Sequence, residues 1–157
     1  MDIIVLAIGK TDNPQLSALM QDYENRLKRY ISFKFMTIPD IKNRKVLSEK
    51  VQKEKESQLL LHQIQPADFL ALLDEKGKQS SSREFSAYLQ KRMNSGIKKL
   101  VFVIGGPYGF GQELHQRSND RLSLSKMTFS HQMVRLFFLE QLYRAFTILK
   151  NEPYHHD

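Results

Sequence analysis

Positions 3–8 form an unbroken apolar run rich in isoleucine, which predicts a strand buried on both faces. A loop at 9–13 ends in Asn13 and Pro14, a capping side chain followed by proline at the first helical position. Leu16, Leu19, Met20, Tyr23, Leu27 and Tyr30 then recur at helical spacing and predict one apolar face, with Arg26, Lys28 and Arg29 on the other. The aromatic members are explained by the helical period, which favours core over a base-stacking platform. A second strand is expected at 33–38, stopped by Pro39, and a basic loop at 40–45.

Positions 48–63 predict a long charged helix with Val51, Leu59 and Leu60 inward. Its alternating lysines and glutamates predict a solvated face laced with local ion pairs. His62 near its end reads as a surface or cap residue, and Pro66 closes the segment. A third buried strand follows at 69–73 and ends in a polar turn at 74–77. Ser81 and Glu84 have the spacing of a capping box. They open a helix with Phe85, Leu89 and Met93 inward, terminated by Gly96. A fourth strand at 100–104 runs into a loop, 105–111, with four glycines and one proline. Beyond it come a short helix at 112–118, a brief strand at 122–125 and a loop at 126–130. The last helix, 131–149, has Val134, Phe137, Phe138, Leu142, Phe146 and Leu149 on its apolar side. The end, 151–157, is polar and would ordinarily be read as a flexible tail.

Strands alternating with helical crossovers predict an α/β fold with a mostly parallel sheet covered on both faces. There is no internal repeat or linker, so one domain over 1–157 is expected. Such sheets bind ligands at the carboxyl ends of strands, which draws attention to 105–111. Glycines there let a ligand approach the backbone closely, although a tight turn alone would also use them. The two common phosphate motifs fail: Pro107 breaks G-x-G-x-x-G, and no lysine follows Gly111 as a Walker loop requires.

The 157 residues carry a formal charge of +7, which favours an anionic partner, nucleic acid being the commonest large one. There is no cysteine, which excludes disulfides, thiolate metal sites and cysteine nucleophiles. The first apolar run is too short for a membrane span or signal core, so a cytoplasmic location without membrane contact is expected.

Four blocks narrow the class. FVIGGPYG at 102–109, LSLSKMTFSHQMVR at 122–135, EQLYRAF at 140–146 and NEPYH at 151–155, with the start IVLAIGK at 4–10, resemble the RlmH family over the whole chain. These are SPOUT-class methyltransferases of pseudouridine in large-subunit ribosomal RNA. The resemblance implies a deep trefoil knot near the C-terminus and a homodimer packed through the knotted regions. It also implies S-adenosylmethionine as donor, no metal, and methylation of ring nitrogen 3 in the assembled ribosome. Matched residue by residue, it implies a donor site of Leu73, Gly105, Leu124, Ser125, Lys126, Met127, Thr128 and Phe129. Arg144 is implied as the group that orients the ring and stabilises its anion, though Glu140 at i, i+4 also offers it a plain ion pair. Tyr154 and His155 are further candidates, the first for stacking and the second as a base; His131 is weighed as structural. Relatives often end with a basic residue after Tyr-His, where this chain has His156 and Asp157. Other expectations left open are a SPOUT enzyme acting on another RNA and a noncatalytic RNA-binding module.

Overall fold

A computed structural model describes residues 1–157. Its strands are β1 (Asp2–Ile8), β2 (Ser32–Ile38), β3 (Phe69–Gln79), β4 (Lys99–Ile104) and β5 (Asp120–Ser123). Its helices are α1 (Pro14–Leu27), α2 (Glu49–Leu61), α3 (Ser82–Asn94), α4 (Gln112–Arg117) and α5 (Met133–Leu149), with a 3-10 turn at Arg44–Val46. The strands form one sheet in the order β2-β1-β4-β3-β5, and every pairing is parallel.

The continuous apolar runs are explained by burial of both faces. Along β1, Ile3, Val5 and Ala7 join one core cluster, and Leu6 and Ile8 the other. Leu100, Phe102 and Ile104 of β4 divide from Val101 and Val103 in the same way. The larger cluster is covered by α1, α3 and α5, the smaller by Leu60 of α2, Leu114 of α4 and Phe110.

The expected caps form. The Asn13 side chain accepts from the backbone N–H groups of Gln15 and Leu16 at 2.8 and 3.2 Å. Ser81 and Glu84 make both arms of a capping box, and His62 stands at the C-cap of α2.

Several expectations are corrected. Leu19 is exposed, and Tyr30 lies beyond the end of α1. On α2 only Leu60 is buried among the three residues expected inward; Val51 and Leu59 are exposed. The buried stripe of α2 is instead Gln52, Glu56, Ser57 and Leu60. None of its lysines or glutamates forms an ion pair. Glu56 turns inward, while Lys50 and Lys53 line a separate groove. β3 does not end in a polar turn at 74–77. It continues to Gln79 through a bulge, with Leu122 paired first to Leu73 and then to Lys78. β5 accordingly begins two residues earlier than expected, and α5 begins at Met133 rather than His131. Phe137 is exposed, while Leu139 and Ala145, not expected on the inner side, are fully buried.

The tail is held rather than loose. Its Tyr154 hydroxyl donates to Glu140 at 3.1 Å and shares a hydrogen bond with Tyr23 at 3.3 Å. Asp157 pairs with Arg83, and those contacts with Arg83 hold the Asp157 carboxyl down at about 2.

Candidate active site

A cavity of about 430 Å³ opens at the carboxyl ends of β3, β4 and β5. Leu73 ends the regular part of β3, Ile104 ends β4, and Leu122 and Ser123 close β5, so three strand ends form its floor. The loop from Gly105 to Phe110 forms one wall and residues 124–129 the other. Such a volume lies within the roughly 300–1,000 Å³ of small-molecule sites.

Seven of the eight donor-site residues expected from the sequence come together here: Leu73, Gly105, Leu124, Ser125, Met127, Thr128 and Phe129. Lys126 does not. It lines a shallow hollow with Ser80, Ser81 and Glu84. The second wall is shaped by its own serines: the Ser123 hydroxyl donates to the Ser125 carbonyl at 2.9 Å, and the Ser125 side chain accepts from the Met127 N–H at 3.0 Å.

The glycines leave room that side chains would fill. A Cβ on Gly105 would lie 3.1 Å from the Phe110 ring and 3.3 Å from the Gly109 carbonyl. A Cβ on Gly106 would lie 2.5 Å from Oε2 of Glu56. The glycine loop therefore rests directly on α2. Ser57 Oγ accepts from the Gly111 N–H at 2.7 Å, and Gln52 donates to Oε1 of Glu56 at 3.0 Å. Glu56 is 2% exposed, and its Oε2 has no protein partner. Burial pushes its pKa up, reinforced by nearby Asp40 and opposed by the Gln52 hydrogen bond and Arg44.

The folded state thus binds the Glu56 proton more tightly than the unfolded chain. The stability this brings is complete below the ordinary glutamate value of about 4.3 and is lost as pH rises through the raised value. Glu56→Gln fixes the neutral form. Its melting temperature is expected to match the parent in acid and to exceed it above the raised pKa. The gain should be on the order of 2–4 °C for each kcal/mol that the parent loses on ionising Glu56. Thermal melts across that pH range test this. A difference that does not vary with pH would contradict it.

Arg135 is another buried group that the sequence pattern does not single out. It is 1% exposed, and its guanidinium donates to the carbonyls of Ile8 at 2.6 Å, Gly9 at 2.9 Å and His131 at 3.1 Å, and to the Thr11 hydroxyl at 3.1 Å. One side chain thereby ties the start of α5 to the carboxyl end of β1 and fixes where the 124–132 segment must end. The available signal is its position: Arg135 is three residues before Phe138 and lies on the buried side of α5. Glu56 is similarly legible as the residue four before Leu60. His131 lines the cavity, and burial together with the Arg135 charge lowers its pKa.

Arg144, Tyr154 and His155 are brought together, but not at this cavity. The Arg144 guanidinium donates through Nε to Glu140 at 3.0 Å, making the ion pair that the i, i+4 spacing offered. It lies 4.8 Å from the centre of the Tyr154 ring and contacts Nδ1 of His155 at 3.2 Å. The second ring nitrogen of His155 lies 3.0 Å from Asp157. The Glu140 hydrogen bond raises the Arg144 pKa further, and burial with the Tyr23 contact pushes the Tyr154 phenol up. The result is a fixed cation held flat by a neutral phenol, a carboxylate and an imidazole.

A parallel sheet with a part-apolar cavity across three strand ends, walled by a glycine loop, defines an α/β protein with a pocket of small-molecule size at the carboxyl edge of its sheet. The family model described as "Predicted SPOUT methyltransferase" matches residues 1–155, and the chain belongs to that family. It is 62% identical over 156 residues to a protein of Christiangramia forsetii, and 64% over 156 residues to one of Flavobacterium psychrophilum; each match covers 99% of both chains. It is also 56% identical over 157 residues to a protein of Parabacteroides distasonis, covering 100% of both. All three relatives carry the name Ribosomal RNA large subunit methyltransferase H, in line with the resemblance carried by the four sequence blocks. No helix is long and apolar enough to cross a membrane.

Proposed function

We propose that this chain is an S-adenosylmethionine-dependent methyltransferase that methylates ring nitrogen 3 of a pseudouridine in large-subunit ribosomal RNA. It acts on the assembled ribosome, as a homodimer, with residues 1–157 forming its one domain. A ribosomal substrate implies a cytoplasmic location. The observation that carries the reading is a glycine-walled cavity at the strand ends of a chain matched from end to end by proteins of that name.

The residues present fit the donor. A Cβ on Gly105 would fill the space between the loop and Phe110. Leu73 and Leu124 are suited to the faces of an adenine, and the loop backbone to its edge. When bound, S-adenosylmethionine supplies an electrophilic methyl group on a positively charged sulfur, so the protein's share is positioning and electrostatics. The acceptor nitrogen must lose its proton, which passes to solvent water once a nearby cation lowers the pKa of the imide. Arg144 stabilises the resulting ring anion, because its planar fork is held in place before substrate arrives. With Arg144 donating to Nδ1 of His155 and Nε2–H donating to Asp157, His155 has no nitrogen left to accept a substrate proton. That favours the electrostatic role of Arg144 over a base at His155. Tyr154 keeps the guanidinium plane in place from one side.

Distance supports the dimer. Cavity residue Val134 and Arg144 both lie on α5, and ten residues at 1.5 Å each separate their positions along it by roughly 15 Å. That separation, with Arg144 absent from the cavity lining, favours a reacting centre built from the cavity of one protomer and the Arg144 cluster of its partner. Met127, Tyr108, Met133 and Phe137 leave exposed apolar surface at or near the cavity for a partner to cover. The family's trefoil knot agrees with the path of the chain. Residues 124–132 leave β5 at one sheet edge and reach β1, where Gln132 bonds the Lys10 carbonyl and the Asp12 N–H. They must cross the ends of β3 and β4 past the glycine loop.

Calorimetry with S-adenosylmethionine tests the donor, with micromolar binding expected. Absence of binding at millimolar donor would leave only the noncatalytic module. Mass spectrometry of ribosomal RNA from a strain lacking the gene tests the substrate. Loss of one methylated pseudouridine is expected, and an unchanged pattern would point to another RNA.

A further inference from the structure

Beside the donor cavity lies a larger open groove of about 950 Å³. Five cations from three elements converge on it: Lys50 and Lys53 of α2, Lys76 and Lys78 of β3, and Arg121 of β5. None of the five is in an ion pair. Of the two carboxylates in its wall, Asp120 is already held by Arg92 at 2.7 Å and by the Tyr88 hydroxyl at 3.1 Å, which leaves Glu54 alone to balance them. Lysines whose alternation with glutamate promised local pairing are instead left free, and so are the cations on the β3 bulge. Crowding five unpaired cations costs free energy through mutual repulsion unless an anion relieves it.

We propose that this groove holds the phosphate backbone of a single-stranded RNA segment leading to the target nucleotide; the inference rests on the proposed RNA methyltransferase activity. Three observations choose this occupant. The groove joins the donor cavity, since Lys53, Lys76, Phe110 and His115 line both. An RNA strand lying in it therefore reaches the donor without leaving the protein surface. Its only apolar lining residue, Phe110, is 7% exposed, so it offers neither a stacking platform for bases nor the apolar centre that a protein interface needs. What remains besides charge is amide and hydroxyl groups, from Gln112, Gln116 and Asn119 among others, which bond phosphate and sugar without reading sequence. The groove therefore supplies affinity and register, while the choice of nucleotide is made elsewhere. This gives the methyltransferase domain a means to hold its substrate strand.

The test is the triple variant Lys50→Gln, Lys78→Gln, Arg121→Gln, three positions outside the donor cavity. Binding of a short single-stranded RNA is followed by fluorescence anisotropy against salt, and KM is measured for ribosomes isolated from cells lacking the enzyme. Losing three phosphate contacts at about 0.7 each is expected to flatten the slope of log affinity against log salt by about 2. Affinity near 0.1 M salt is expected to fall at least about tenfold, KM to rise in step, and S-adenosylmethionine affinity to stay the same. A control triple, Lys28→Gln, Lys34→Gln, Lys91→Gln, makes the same change in net charge on other surfaces. An equal loss there would overturn the groove in favour of general charge. An unchanged slope and KM in the first variant would overturn it outright. A raised KM with unchanged RNA binding would also overturn it, by assigning the groove to a ribosomal protein. If the parent protein fails to methylate ribosomes, the enzymatic reading falls, while the anisotropy still reads the groove.

Discussion

Arg144→Ala is expected to lower kcat by about 10²–10³-fold, the usual loss when one fixed donor to a developing anion is removed. Donor affinity is expected to change little, because Arg144 does not line the cavity. Folding should survive, since the Glu140 carboxylate keeps the Tyr154 hydroxyl at 3.1 Å and the Gln141 amide at 2.8 Å. Arg144→Lys restores charge without the planar fork and should recover only part of the rate. The two-protomer reading has its own test. Chains carrying Arg144→Ala are mixed with chains carrying Gly105→Leu, whose added side chain meets the Phe110 ring and obstructs the cavity. Each parent is expected to retain only a small residue of activity. In the mixed dimer one site has an intact cavity from one chain and an intact Arg144 from the other, so activity should return. A mixed dimer as inactive as its parents would show that cavity and arginine act within one chain, and loss of donor binding by Arg144→Ala would make its role structural.

Gly77→Ala should be the most damaging single-methyl change. The added carbon would lie 2.6 Å from backbone atoms of Leu122 and 2.7 Å from the Arg121 carbonyl carbon. No rotamer change relieves a contact with backbone, so β5 must move away from the β3 bulge. Overpacking of this kind costs about 1–3 kcal/mol, sometimes more, and at this chain length each kcal/mol lowers Tm by about 2–4 °C. Leu122, Ser123 and Leu124 carry one wall of the cavity, so S-adenosylmethionine affinity should fall at least about tenfold with stability, a loss of about 1.4 kcal/mol in binding. Gly96→Ala is the control. Its φ of +80° makes alanine cost about 1–2 kcal/mol, but no atom lies within 4 Å of the new carbon, and the site is remote. It should lower Tm and leave donor binding intact. Equal donor affinity in Gly77→Ala and the parent would show that the bulge does not set the cavity wall.

Arg144 and Gly77 mark how far the sequence alone reaches. Arg144 is legible through its block, and its partner Glu140 through helical spacing alone. Gly77 reads as the end of a strand, because glycine after a charged run ordinarily marks a turn. In the fold it marks the opposite, a place where a strand continues because another backbone comes too close for a side chain. Lys126 shows the limit of transferring a contiguous motif to a site: in a short irregular loop, neighbouring side chains face different ways, and this one faces away from the cavity.

The strands, the crossover helices, their caps and the parallel class were determined by the sequence itself. These depend on apolar periodicity and local backbone chemistry, which act within a few residues. Seven of the eight residues that the blocks suggested for a donor site line one cavity, and Lys126 does not. Tertiary structure alone decided that the glycine loop rests on buried Glu56, that Arg135 ties α5 to the end of β1, and that β3 and β5 meet through a bulge. It also decided that the Arg144 cluster stands apart from the cavity, and that five cations share one groove. Each of these depends on which distant segments become neighbours, and hydrophobic periodicity carries no record of that. A buried carboxylate and a solvated one, or a paired lysine and a free one, look the same until the chain has folded around them.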